Sequence, residues 1–229
     1  MRIVSLVPSV TETLLAFGVI PVAVTRFCEH PEHPGLPAVG GTKNPDIGAI
    51  VALDPDLVVL CQEENRREDA EALAAAGVAT CTLVIDDLDD AVLAVQALAG
   101  FAGVAREPLD LGAPAVRTRV RAFVPIWRRP WMTMNAGTYG SALLAHLGID
   151  NVFGASPTRY PTVTADDIVA AAPDVVLAPS EPYAFTAKHV AELSAFAPVE
   201  LIDGQDLFWW GIRTPAAIER LGARLAALS

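Results

Sequence analysis

Cysteine, glutamate and histidine crowd one short stretch of this chain, Cys28-Glu29-His30-Pro31-Glu32-His33, and together they invite a metal site. A zinc-type centre needs three or four such ligands converging at about 2.0 to 2.3 Å. Pro31 interrupts the stretch and no second histidine pair occurs elsewhere, so no protein-bound metal is expected. Cys28 or Cys61 with His30 is the one conceivable nucleophile and base, because there is no GxSxG motif and His146 and His189 fall in expected helices. Glu63 and Glu64 could split their pKa values and act as acid and base. They could equally sit at the start of the following helix and favour its dipole. An α/β enzyme working through Glu63, Glu64 or Cys61 therefore stays open as a second reading.

The other candidates suit binding better than turnover. Arg26 beside Phe27 pairs a cation with a ring, which fits a flat or anionic organic ligand. Gly40-Gly41-Thr42-Lys43 lacks the first glycine of a phosphate loop and opens no helix, which leaves Lys43 as a candidate cation and speaks against a nucleotide site. Ser9 can cap the first helix with Glu12 three residues on, and the free amides there could receive an anion. Tyr139, Tyr160, Tyr183, Phe208, Trp209 and Trp210 fall in expected loops or at their edges in the second half, with Arg213 close behind. Neighbouring Trp209 and Trp210 point apart, so at least one should face a ligand or the surface. A ring that loses roughly 150 Å² of apolar surface to a ligand contributes about 4 kcal/mol before ordering costs. The expected ligand contacts are Ser9, Arg26, Phe27, Cys28, Lys43, Cys61, Glu63, Asn65, Tyr160, Tyr183, Trp209, Trp210 and Arg213, with no catalytic residue.

Short β-branched runs alternating with Ala- and Leu-rich segments predict an α/β fold with parallel sheets. Strands are expected near 2–7, 20–25, 56–61, 78–83, 131–135, 149–153, 174–178 and 198–202. Helices are expected near 9–17, 46–53, 65–76, 86–100, 138–147, 164–171, 187–195 and 214–227, with starts marked by Asn44-Pro45-Asp46, Thr164 and Thr214-Pro215. Ile50 to Leu60 echoes Ile168 to Ala178, each an apolar helix end, a Pro-Asp and a Val-rich strand, and Leu14 to Ile20 echoes Leu143 to Ile149. Two echoes in the same order predict two similar Rossmann-like lobes, 1–104 and 130–229. Between them, 105–129 is expected to link the lobes through one helix over 115–124, with Arg117, Arg119, Arg121, Arg128 and Arg129 as the solvated face of that helix and its following turn. In open α/β sheets ligands sit beyond the carboxyl ends of strands, so the expected site is a cleft between the lobes.

A chain of 229 residues needs no staple to bury its core. At 52% hydrophobic, 19% charged and positive mean hydropathy it is a filled globule rather than a disordered segment. A net charge of −11 opposes nucleic acid and anionic membrane as partners. The cysteines, Cys28, Cys61 and Cys81, show no disulfide or zinc spacing and slightly favour a reducing compartment. The start, Met1-Arg2-Ile3-Val4-Ser5, runs straight into a strand rather than a secretory leader. The expectation is a cytoplasmic protein if the sequence is complete and a periplasmic one if a leader was removed. No run approaches 18 apolar residues, so no membrane insertion is expected, and a monomer is.

The opening Arg2 to Glu12, the Val24 to Pro31 loop, Ile50 to Val59, and Trp209-Trp210 to Pro215 resemble, in order, elements of the periplasmic-binding-protein fold with a helical backbone. That family carries vitamin B12, haem and ferric siderophores to ABC importers. The resemblance implies two lobes on one long helix, small closure on binding, no cofactor beyond a metal-chelate ligand, and delivery to an ABC permease. It carries ligand contact onto Phe27, Tyr160 and Trp209, which match aromatic positions of B12-binding members. Two further such positions are Thr42 and Cys61 here, which points to a smaller or more polar chelate than B12. A cytosolic relative that senses or sequesters such a ligand is the other form of the same reading.

Overall fold

The computed structural model describes residues 1–29, 31–32, 35–114 and 120–226. Its contacts divide the chain into two compact units, one of Met1–Ile85, Asp89–Leu109 and Trp210–Ile212, the other of Asp86–Leu88, Asp110–Trp209 and Arg213–Ser229.

In the first unit, β1 (Ile3–Ser5) and β5 (Leu57–Cys61) are short apolar runs with every residue buried. Strands sandwiched by helices lose the polar alternation of a half-exposed sheet, which is why these runs are continuous. They form the middle of a parallel sheet of order β2-β1-β5-β6, with β2 (Ala23–Val24) and β6 (Thr80–Leu83) at its edges. Helices α1 (Pro8–Ala16), α2 (Ile47–Ala52), α3 (Arg67–Ala75) and α4 (Leu88–Ala102) and a small hairpin, β3 (Gly40–Gly41) with β4 (Asn44–Pro45), complete the unit. Val4, Leu6, Ile50, Val58, Leu60 and Leu73 make its core.

In the second unit, β7 (Val120–Phe123), β9 (Ile149–Asn151), β11 (Val175–Pro179) and β12 (Val199–Ile202) form a parallel sheet of order β12-β11-β7-β9. Around it are α5 (Tyr139–His146), α6 (Ala165–Ala171), α7 (Ala187–Leu193), α8 (Gly204–Phe208) and α9 (Thr214–Leu225), and an antiparallel pair, β8 (Trp131–Met132) with β10 (Thr162–Val163). Its core is aromatic: the rings of Trp131, Phe153 and Phe196 meet Phe123 edge-on at 5.9 to 6.5 Å, and Phe185 stacks on Trp131.

Taken in matching direction, β9-β7-β11-β12 repeats β2-β1-β5-β6, and the echo seen in the sequence extends to single atoms. The Arg2 guanidinium donates to the carbonyls of Leu53 (2.6 Å) and Asp54 (3.2 Å), while its backbone amide donates to Asp56 Oδ2 (2.6 Å). The Arg121 guanidinium donates to the carbonyls of Ala171 (2.6 Å) and Ala172 (3.4 Å), and its amide to Asp174 Oδ2 (2.8 Å). Asp54 and Ala172 both hold positive φ, 46° and 45°, so the two helix-to-strand junctions share their backbone turn as well.

Several expected elements differ. The helix expected over 115–124 is not formed at 120–123, which is the strand β7; 115–119 lie outside the described residues. Ala122 and Phe123 are fully buried there, and the period-2 alternation Val120-Arg121-Ala122 was masked by neighbouring arginines that resemble a helix face. The strand expected over 131–135 shrinks to Trp131–Met132 and joins β10 rather than the parallel sheet. Helix α8 lies in a segment expected to be loop, and the Asp203 carboxylate caps it by accepting from the amides of Gln205 and Asp206. α1 starts at Pro8, so Ser9 is inside the first turn and does not cap it; proline suits that first position because it lacks the amide that would go unused. Thr214 likewise is the first residue of α9, and its hydroxyl meets the Tyr139 hydroxyl at 2.9 Å instead of capping. α3 begins at Arg67, which leaves Glu63 and Glu64 upstream of its first turn; Glu68 and Asp69 occupy it.

Candidate ligand-binding loops

The loops that leave the carboxyl ends of each sheet carry most of the expected contact residues. In the first unit the loop after β2 presents Phe27, 47% exposed, with the Arg26 guanidinium 4.9 Å from its ring centroid. The hairpin turn runs under this pair. A Cβ on Gly41 would come within 3.1 Å of the Phe27 ring and 3.2 Å of the Arg26 guanidinium, so the bare backbone there lets the stack sit down. Lys43, on the same turn, donates to the Glu63 carbonyl at 2.8 Å. An open cavity of about 690 Å³ adjoins the loop, lined by Val24, Thr25, Arg26, Cys28, Glu29 and Glu32 among others. His30 and His33 lie outside the described residues, and among the described ones no group of three or more His, Cys, Asp or Glu could hold a metal.

Other expected residues of this unit are committed to the fold. Asn65 is 7% exposed; its carbonyl accepts from the Cys61 amide at 2.8 Å, and its Nδ2 donates to the carbonyls of Leu6 (3.1 Å) and Thr42 (3.0 Å). One side chain thereby ties the ends of β1 and β5 to the hairpin turn. Cys61 is 1% exposed in β5, and burial, with the Glu64 charge next, pushes its thiol up to about 12. Such a thiol stays protonated at neutral pH and is no nucleophile. Cys28, 2% exposed, is also pushed up by burial; Thr11 donates to its sulfur at 3.1 Å. The Ser9 hydroxyl is buried and has no hydrogen-bond partner among the described residues. Trp210 is 4% exposed in the first unit's core and offers no ring surface to a ligand.

In the second unit the loop after β9 presents Tyr160, 37% exposed, with the Arg159 guanidinium 5.9 Å from its ring and bound to Asp86 at 2.8 Å. Trp209 follows α8. Its indole Nε1 donates to Glu181 Oε2 at 3.0 Å, and Gln205 Nε2 donates to the other oxygen of Glu181 at 3.2 Å. The Arg213 guanidinium lies 5.1 Å from the Trp209 ring and 3.8 Å from Asp206, whose carboxylate is held bidentately by Arg220 at 2.6 and 2.8 Å. This close packing of two loops needs Gly204, since a Cβ there would run into the Glu181 backbone. Tyr183 is half-buried among Trp127, Phe185 and His189, 4.7 Å from the Phe185 ring, so it belongs to the aromatic core more than to an open face.

Glu181, Gln205 and Arg159 were absent from the expected set. The only signal for them was position, each lying after a strand or beside a chosen aromatic, and nothing in residue type marked Glu181 as the anchor of Trp209.

Known proteins share this fold. The profile of the family described as periplasmic binding protein matches residues 3–193. The chain is similar to the vitamin B12-binding protein of Pectobacterium carotovorum subsp. carotovorum (strain PC1), 24% identical over 251 aligned positions that cover 100% of this chain and 89% of that one. Among solved structures it is similar in fold to the periplasmic heme-binding protein BhuT in complex with two hemes, with a TM-score of 0.82, 22% identity and coverage of 99% and 98% of the two chains. The periplasmic vitamin B12 binding protein BtuF of Vibrio cholerae gives a TM-score of 0.78, 20% identity and coverage of 99% and 96%. With two parallel α/β units of repeated strand order and a profile match over most of its length, the chain belongs to the periplasmic binding protein family.

Proposed function

We propose that this protein binds a metal chelate of the siderophore, haem or cobalamin type through its carboxyl-edge loops and delivers it to an ABC permease. The observation that carries the reading is the set of accessible rings on those loops, Phe27, Tyr160 and the partly exposed Trp209, in a chain whose relatives include a vitamin B12-binding protein and whose fold matches a heme-binding one. Aromatic rings on loops held by a packed scaffold offer flat apolar contact at little conformational cost. The family consists of substrate-binding proteins rather than enzymes, and the burial that raises the Cys61 thiol speaks against that residue as the nucleophile of the alternative reading.

Fluorescence titration with haemin, cobalamin and ferric siderophores tests the proposal. At least one chelate should quench tryptophan emission with micromolar or tighter affinity. Phe27→Ala and Trp209→Ala should each weaken that chelate by about tenfold or more, which is what remains of a stacked ring's contribution once ordering costs are met. Unchanged affinity in both variants would remove these loops from the site.

A further inference from the structure

We propose that Asp206 is a positioning residue for Trp209, acting through Arg213 to fix which face the indole can offer. The proposal rests on the chelate-binding reading above, and all of its residues belong to the second unit.

The side chains around the indole form a closed circuit. Trp209 Nε1 donates to Glu181 Oε2 at 3.0 Å, and Gln205 Nε2 donates to Glu181 Oε1 at 3.2 Å. At the other end of the same amide, Gln205 Oε1 accepts from Arg213 Nη2 at 3.5 Å, and the Arg213 guanidinium returns to the Trp209 ring, 5.1 Å from its centroid. A carboxylate on one side needs a donor and a guanidinium on the other needs an acceptor, so the Gln205 amide has one usable setting. With Arg213 over one face, a flat ligand can stack on Trp209 only from the other.

Asp206 anchors the cationic side of this circuit. It is buried in the single turn of α8, where its amide donates to the capping Asp203 at 3.4 Å. Arg220, from α9, holds both of its oxygens at 2.6 and 2.8 Å, and Arg213 Nη1 lies 3.8 Å from Oδ1. A carboxylate clamped bidentately cannot turn to follow a second cation, so the cation must come to it. Arginine is long and rotamer-rich, and without a fixed partner its guanidinium would reach for water rather than lie over a ring. The Asp206–Arg220 pair alone suffices to tie α8 to α9. A second guanidinium beside the same oxygen is accounted for by the ring it covers.

Fluorine NMR of the full chain carrying fluorotryptophan tests this without a ligand. The four tryptophans give four resonances, assigned with Trp127→Phe, Trp131→Phe, Trp209→Phe and Trp210→Phe. Asp206→Asn and Arg213→Gln should shift the Trp209 resonance in the same direction and leave the other three in place, and Asp206→Glu should restore it in part. Adding Asp206→Asn to Arg213→Gln should move it no further, since the carboxylate acts through the guanidinium. If thermal melts show Asp206→Asn unfolded, Arg220→Gln lets the carboxylate swing while keeping its charge, and the Trp209 resonance alone should shift or broaden. A Trp209 resonance that stays put, that moves as far once Arg213 is already replaced, or that moves only together with the other three would overturn the proposal. For a chelate that binds, Asp206→Asn and Arg213→Gln should each weaken affinity by about fivefold, and the double variant by no more. Unchanged affinity beside a shifted resonance would also overturn it. Failure of every chelate to bind would overturn the binding reading instead and leave the orientation of Trp209 to be decided by the resonances.

Discussion

Glu181 accepts from the indole of Trp209 and from the amide of Gln205, while Arg213 lies over the ring face, so two neighbours hold one accessible side chain and a third holds Glu181. An indole fixed in this way pays its ordering cost before a ligand arrives. Glu181→Ala should therefore shift Trp209 emission and weaken ligand binding by about fivefold, with Glu181→Gln, which keeps an acceptor, closer to the parent; identical affinity and emission in the alanine variant would show that the ring orients itself. Cys61 makes a different prediction. Its folded thiol is pushed from 9.0 up to about 12, so folding favours the protonated form. That contribution is fully present below the unfolded value and is lost as pH rises from 9.0 towards about 12. Urea midpoints should fall across this alkaline window, and less steeply in Cys61→Ala. In the folded protein at neutral pH a thiol reagent should leave Cys61 unmodified until denaturant is added.

At the level of elements, most of the fold was legible in the sequence because the signals were local. The β-branched runs at 57–61 and 175–179 could only be buried strands, and Thr164 followed by Asp167 gave the start of α6, where both halves of a capping box form. Thr164→Ala should cost about 1 kcal/mol in chemical denaturation. The backbone and hydroxyl of Thr164 hold the Asp167 carboxyl below its ordinary value, so this support is present above the unfolded carboxylate range and is lost as pH falls through the depressed one. The difference between parent and variant should narrow accordingly in acid. β7 was hidden because arginines flank it and a central parallel strand of four residues leaves little periodicity to detect. The site was less legible than the fold. Phe27, Tyr160 and Trp209 stood out by type, whereas the fixed roles of Asn65 and Trp210 depend on neighbours 59 residues away in one case and on burial in the other. The duplicated junctions give a further test: Arg2→Ala and Arg121→Ala each remove two guanidinium-to-carbonyl bonds of the same pattern and should each cost about 1 to 2 kcal/mol.

Across the whole molecule, one topology is used twice, β2-β1-β5-β6 and β9-β7-β11-β12, and both copies offer rings and arginines at their carboxyl edges. In open α/β sheets of this kind ligands sit beyond the carboxyl ends of the strands. If, as proposed, the chain captures a chelate and releases it unchanged, calorimetric titration with haemin, cobalamin and ferric siderophores should show saturable binding of defined stoichiometry at micromolar affinity or tighter for at least one chelate. The ligand recovered afterwards should keep its metal and its visible spectrum. Absence of binding to all of them, or recovery of a chemically altered ligand, would contradict the proposal.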